Sequence, residues 1–352
     1  MHIEKIDSNF QIPNELPRQD IRFYDVQKHP MEIYGVFYEG GRFRRMPENV
    51  ASEVSEGVLT LSCQTAGGRV RFSTDSPFVA IAAQMDDIGK MPHFAISGSA
   101  GFDVYETVDG TEIYRDTFVP PFDMTHGYQS LKELGPSAMR TITIHFPLYS
   151  GVQKLRIGLQ EHAKLAAPVP YIQQPPIVYY GSSITQGGCA SRPGNSYQAI
   201  LSRRFHVNHW NLGFSGSAKG EKAMSDYLAK LPMSVFVLDY DHNAPSVSHL
   251  ENTHERMYQA VRKTHPNIPI IMMSRPQHRL TDEEQARLEV IQSTFRNARE
   301  NGDPNVYLLT GADLTQLCGD NGTVDNCHPN DFGFASMARA LGDLIDKTGV
   351  FR

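Results

Sequence analysis

The sequence predicts an α/β protein in two parts, an N-terminal β-sandwich followed by a unit whose parallel sheet carries helices on both faces. Three observations lead there. Up to about residue 160 the apolar residues alternate in short runs broken by turn formers, the pattern of half-buried strands. Residues 163–176 hold Pro168, Pro170, Pro175 and Pro176; proline lacks the donor that a ladder or helix interior needs, so this stretch reads as an extended linker. Beyond it, short apolar strands alternate with amphipathic helices, the rhythm of βαβ units. A length of 352 residues leads to an expectation of two domains: a jelly-roll-like sandwich over 1–165 and the α/β unit over 166–352.

In the first part, Val58, Leu59, Leu61 and Cys63 read as one strand, Val70 and Phe72 as a second, and 78–83 as a third. Asp109-Gly110 separates the β-formers 105–108 and 111–114 and predicts a tight hairpin. Strands over 141–146 and 155–159 complete the set. In the second part, strands are expected at 177–180, 209–212, 235–239, 268–273 and 306–309. Thr281, with Glu284 three residues on, opens a helix to about Arg299 as a capping box. The last helix runs over about 331–347 and stops at Gly349.

Composition narrows the function. A net charge of −6 argues against the basic surface that phosphate neutralisation requires, so no nucleic-acid partner is expected. Charges interrupt the N-terminal run Met1-His2-Ile3-Glu4-Lys5-Ile6-Asp7-Ser8, which reads as neither a secretory segment nor a membrane span and predicts a cytoplasmic protein with no membrane partner. Cys63, Cys189, Cys318 and Cys327 are too few and too scattered for a disulfide framework. Cys318, Cys327 and His328 lack the paired spacing of a zinc site, so no metal and no cofactor is expected. The number of subunits stays open, with a homo-oligomer among the alternatives.

In a doubly wound sheet, ligands bind at the carboxyl ends of the strands. Three of these loops are unusual: Gly181-Ser182-Ser183-Ile184-Thr185-Gln186-Gly187-Gly188 after the first strand, Asn211-Leu212-Gly213-Phe214-Ser215-Gly216 after the second, and Asp239-Tyr240-Asp241-His242-Asn243 after the third. Asp325-Asn326-Cys327-His328-Pro329 precedes the last helix. A serine hydroxyl needs an adjacent base during attack. His328 is suited to that task, and a carboxylate three residues earlier can hold its ring in one tautomer.

These four pieces, in this order, resemble the SGNH hydrolases, the GDSL-like esterase and lipase superfamily, across about residues 176–345. The resemblance implies a flavodoxin-like fold, with Ser183 as nucleophile and Asp325 and His328 completing the triad. It implies an oxyanion hole from Ser183, Gly213 and Asn243. Ser182 stands where many members have Asp. The first part resembles the N-terminal module named for a Gly-x-Asp-Leu-Tyr motif, which reads here Gly101-Phe102-Asp103-Val104-Tyr105.

The expected activity is that of a serine esterase removing a small acyl group, acetyl foremost, from a carbohydrate, with acetylated manno-oligosaccharides one candidate. The carbohydrate part rests on the resemblance. A lipase or thioesterase of the same superfamily is an alternative, although no apolar lid or interfacial stretch is visible. So is a non-catalytic glycan-binding protein on a degenerate hydrolase scaffold. Asp103 and Tyr105 offer directed hydrogen bonds and a stacking face to sugar hydroxyls, which predicts a pocket at the domain interface near Ser183. His242 is a further pocket-shaping residue.

Overall fold

The computed structural model describes residues 5–7, 11–12 and 16–351. Of the N-terminal stretch 1–8, only residues 5–7 are among them. Two antiparallel sheets form the first part. One has the order Ile21–Asp25, Gly151–Gln160, Phe78–Asp86, Gly127–Glu133. The other runs Leu165–Ala166, Arg69–Thr74, Arg140–His145, Phe102–Val108, Thr111–Phe118, with Glu32–Tyr34 also on Arg69–Thr74. The predicted hairpin at Asp109-Gly110 is present, with Val108 paired to Thr111 and both turn residues at positive φ. Alternate residues face between the sheets: Val70, Phe72, Val104, Ile142 and Ile144 meet Val79, Ile81, Leu155, Ile157 and Leu159, all buried.

The opposite face of the second sheet is polar and yet buried. Arg69 donates through Nη2 to Asn208 Oδ1 at 2.6 Å, and the Arg71 guanidinium lies 4.0 Å from the centre of the Tyr171 ring. This face docks on the α/β part, so period-two alternation here separates an apolar interior from a polar internal interface rather than from solvent.

The second part is a five-stranded parallel sheet in the order His209–Gly213, Ile177–Gly181, Val235–Asp239, Ile270–Met273, Val306–Leu309. Both faces are covered, as a parallel sheet requires. Ile177, Tyr179, Val235 and Val237 pack against Tyr197 and Leu201 of helix Tyr197–Phe205 and against Phe334 and Leu341 of helix Asp331–Thr348. Val178, Tyr180, Phe236 and Leu238 pack on Met224, Leu250, Met257 and Ile291 from three further helices. The capping box holds: Thr281 and Glu284 each bond the other's backbone N–H at the start of Asp282–Glu300. Gly349, at φ 71°, ends the last helix. No helix among the described residues is long and apolar enough to cross a membrane.

One expected strand is a helix. Val58, Leu59 and Leu61 belong to Glu56–Leu61, opened by Ser55, whose side chain accepts from Val58 N–H. Val58 and Leu61, three residues apart, form one apolar stripe of that helix, and Val54 closes the helix Glu48–Val54 before it. That stripe, with Met46 and Ala51, lies on Val178, Tyr180 and Leu212 of the parallel sheet. Residues from the first part thus roof the second.

Candidate active site

The first parallel strand ends at Gly181, in register with Gly213 and Asp239 on its two neighbours. A side chain at Gly181 would stand 2.1 Å from Asp239 O and 2.2 Å from Thr185 Oγ1, so glycine lets the chain turn sharply there. Two serines follow, and their environments separate them. Ser182 is fully buried, and its Oγ caps the short helix Ser183–Gln186 by accepting from Ile184 N–H at 3.2 Å. Ser183 is 7% exposed, and its Oγ lies 3.0 Å from His328 Nε2.

The other ring nitrogen, Nδ1, lies 2.7 Å from Asp325 Oδ2. Asp325 Oδ1 accepts from the N–H groups of Cys327 at 3.0 Å and His328 at 2.7 Å. Partial burial pushes the Asp325 carboxyl upward, but these hydrogen bonds and the facing imidazole outweigh it and leave it below its ordinary value. The carboxylate therefore fixes Nδ1 as the protonated nitrogen, and Nε2 presents its lone pair to the Ser183 hydroxyl. The loop is held by Val324 N–H on His328 O at 3.0 Å and by Asn330, which caps the last helix.

The structure corrects the oxyanion assignment at Gly213. Its N–H already donates to Asn211 Oδ1 at 2.9 Å, and its α-carbon packs on Thr185 and Gln186 so closely that a Cβ would stand 2.2 Å from Gln186 N. Along the same loop, the N–H of Phe214 is taken by Gly181 O, that of Ser215 by Gln186 Oε1, and that of Ser217 by Phe214 O. Among the described residues this leaves Gly216, at φ 64°, as the uncommitted donor of the loop. Asn243 uses one amide hydrogen on Phe214 O at 3.1 Å, and its second remains available.

His242 is almost covered and pairs through Nδ1 with Asp241 Oδ1 at 2.8 Å. Asp239, Asp241 and His242 bring three donor atoms within 4.8 Å of one another. Thr185 Oγ1 donates to Asp239 at 2.8 Å and Arg275 N–H to Asp241 at 3.1 Å, so the cluster ties the third strand end to its neighbours. Its hydrogen bonds run to these neighbours, and none of them reaches Ser183.

Residues 174–346 match the GDSL-like lipase/acylhydrolase family, and residues 21–165 match the N-terminus of SGNH-hydrolase-type esterases. The chain belongs to the SGNH-type esterases and acylhydrolases. No curated sequence gives a significant match. A structure described as a GDSL-like lipase from Bacteroides ovatus is 27% identical, with a TM-score of 0.83 over 93% of this chain and 97% of that one. A salicylyl-acyltransferase from a tetracycline biosynthetic pathway is 19% identical, with a TM-score of 0.77 over 94% and 98%. A family two carbohydrate esterase from Clostridium thermocellum, in complex with cellohexaose, is 15% identical, with a TM-score of 0.61 over 91% and 99%. The last two share the fold.

In this SGNH-type hydrolase the sandwich reaches the site, though not through the residues expected. Asp103 and Tyr105 do lie against the α/β part, but both are buried and neither lines an open pocket. Asp103 Oδ2 accepts from Arg192 Nη1 at 3.0 Å and Gly194 N–H at 2.9 Å, and Tyr105 bonds the same Arg192 nitrogen. Burial raises the Asp103 carboxyl to about 6, against the pull of Arg192. The carboxylate and phenol thus anchor the 192–195 turn of the hydrolase instead of meeting a sugar.

Three other contacts were not anticipated. Tyr149 donates its hydroxyl to Ser183 O at 3.0 Å. Gln64 accepts from Gln186 Nε2 at 2.6 Å. His93, from the loop after Phe78–Asp86, places Nε2 3.9 Å from Asp325 Oδ2, with its ring centre 5.6 Å from that of His328. No local pattern in the sequence marks any of the three.

Proposed function

We propose that the protein is a serine esterase that removes a small acyl group, acetyl foremost, from a carbohydrate hydroxyl through an acyl-enzyme on Ser183. The observation that carries this reading is the 3.0 Å approach of His328 Nε2 to Ser183 Oγ, with Nδ1 held 2.7 Å from Asp325. Ser183 Oγ attacks the ester carbonyl while its proton moves to Nε2. The imidazolium, held by Asp325, then gives that proton to the departing sugar oxygen, and water repeats the sequence on the acyl-enzyme.

The oxyanion meets the N–H groups of Ser183 and Gly216 and the second amide hydrogen of Asn243. Each such donor contributes about 2.7–4 kcal/mol to transition-state stabilisation in acyl-transfer enzymes. A small acyl group suits a nucleophile that is 93% covered by its surroundings, being 7% exposed. The sugar part is supported by the fold shared with the Clostridium thermocellum carbohydrate esterase, and by the polar character of Ser215 and Asn243 on the neighbouring loops.

The test is acetate release from a panel of acetylated oligosaccharides and from an aryl acetate, comparing the wild type with Ser183→Ala. The reading expects release from at least one sugar at a kcat/KM above that for the aryl ester, and none from the variant. Hydrolysis of the aryl ester alone would remove the carbohydrate part, and activity retained in Ser183→Ala would remove the mechanism.

A further inference from the structure

Three side chains from three separate segments meet beside the nucleophile: His93 from the sandwich loop, Cys189 from the turn after the Ser183–Gln186 helix, and His328. One ring nitrogen of each histidine and the Cys189 Sγ all lie within 4.8 Å of one another. Cys189 is buried and His93 exposed, so the group opens to solvent on the His93 side. Two imidazoles and a thiolate form a donor set suited to zinc and its soft neighbours, which bind at about 2.0–2.1 Å to nitrogen and 2.3 Å to sulfur. Donors on one tetrahedral ion with such bonds stand about 3.3–3.6 Å apart, so the group contracts on binding, and the exposed His93 side chain has room to turn inward.

We propose that His93, Cys189 and His328 form a binding site for a zinc-class divalent cation, and that its occupancy switches the hydrolase off. The argument rests on the reading of His328 as the base. Its Nδ1–H is committed to Asp325, so the ring can bind a cation only through the lone pair on Nε2. That is the lone pair facing the Ser183 hydroxyl. Metal and serine proton compete for one orbital, and the ring cannot serve both. On binding, the Cys189 thiol releases its proton to solvent as the metal–sulfur bond forms, and the two imidazoles donate lone pairs without losing a proton. Nothing is oxidised or reduced. The Asp325 carboxylate, 3.9 Å from His93 Nε2, adds negative charge beside the cation.

The experiment uses the full chain, freed of metal with EDTA and dialysed, with zinc chloride as the probe. Calorimetric titration and aryl acetate hydrolysis are followed in parallel. One zinc per chain is expected, with hydrolysis lost in step with occupancy and restored by EDTA. His93→Ala should still hydrolyse the ester without metal, and zinc inhibition measured against its own metal-free rate should weaken on the order of 100-fold, since even a supporting residue around a bound metal is worth 10–100-fold in affinity. Cys189→Ser provides a second arm should His93→Ala fold poorly. Equal inhibition of the wild type and both variants would overturn the proposal, as would zinc that binds without slowing the reaction. If the chain hydrolyses no ester at all, the esterase reading fails and calorimetry alone decides the site: weaker binding in His93→Ala supports it, and unchanged binding rejects it.

Discussion

The Tyr149 hydroxyl, carried by the sandwich part, donates to the main-chain carbonyl of Ser183 at 3.0 Å. The nucleophile's backbone is thus held from outside its own sheet. Tyr149 is buried, and burial pushes its phenol well above the ordinary value, so it stays a donor throughout the working pH range. Tyr149→Phe leaves the Ser183 carbonyl without this partner. A loss of about 1–2 kcal/mol in stability is expected, together with a fall in kcat larger than any change in KM. Denaturant unfolding and steady-state kinetics on the same sample check both.

The two adjacent serines should respond differently. Ser183→Ala is expected to abolish hydrolysis and labelling by a fluorophosphonate probe. Ser182→Ala removes a helix cap and should cost about 1 kcal/mol of stability while the probe still labels Ser183. Labelling at Ser182 in the wild type would reverse the assignment.

Asp325 stays ionised below the usual carboxyl range, so mild acid leaves the carboxylate that orients the His328 ring in its charged form. Asp325→Asn removes the fixed tautomer and is expected to lower kcat on the order of 10⁴-fold. A drop of less than tenfold, measured on the aryl acetate, would show that the ring is oriented by something else.

Asp239 gives a stability prediction. Burial raises its carboxyl to about 6, partly offset by His242, whereas an unfolded chain has a value of about 3.9. Between those pH values the folded form holds a proton that the unfolded form has released. This group's contribution to stability is therefore present below pH 4 and lost as pH rises to 6. Asp239→Asn should make stability at pH 7 more favourable relative to pH 5 than in the wild type, as read by urea unfolding at both. An unchanged difference would refute the raised value.

Asp103→Ala is expected to act through folding rather than sugar recognition. It strands Arg192 and the Gly194 N–H, at a cost of about 2–3 kcal/mol. Activity per folded molecule should change equally on an acetylated oligosaccharide and on an aryl acetate. Selective loss on the sugar would restore the binding role that the sequence led us to expect.

The elements legible in the sequence were those whose partners are local. Thr281 and Glu284 lie three residues apart and bond each other's backbone, and Asp325 and His328 share one loop. Ser183 could be found because four motifs occur in order. Leu59, Leu61 and Cys63 are ambiguous in sequence because a short apolar run satisfies a strand and a helix alike, and the cap at Ser55 decides for the helix. Gly213 misled because the choice of oxyanion donor depends on which N–H groups are already engaged, which only the fold determines. Asp103 stands out as a carboxylate in an otherwise apolar run, yet its partner Arg192 is far away in sequence. His93 and Cys189 belong to segments that become neighbours only after folding, beyond the reach of any spacing rule.

The pair of helices formed by residues 48–61 belongs in sequence to the sandwich but rests on Val178, Tyr180 and Leu212 of the parallel sheet. A gene fragment beginning after the proline-rich stretch would therefore encode a sheet with one apolar flank bare, prone to collect in insoluble aggregates. The full chain should melt in one cooperative transition, because the α/β half loses the cover of Val178, Tyr180 and Leu212, and the buried polar face of the sandwich loses its partners, once the two come apart.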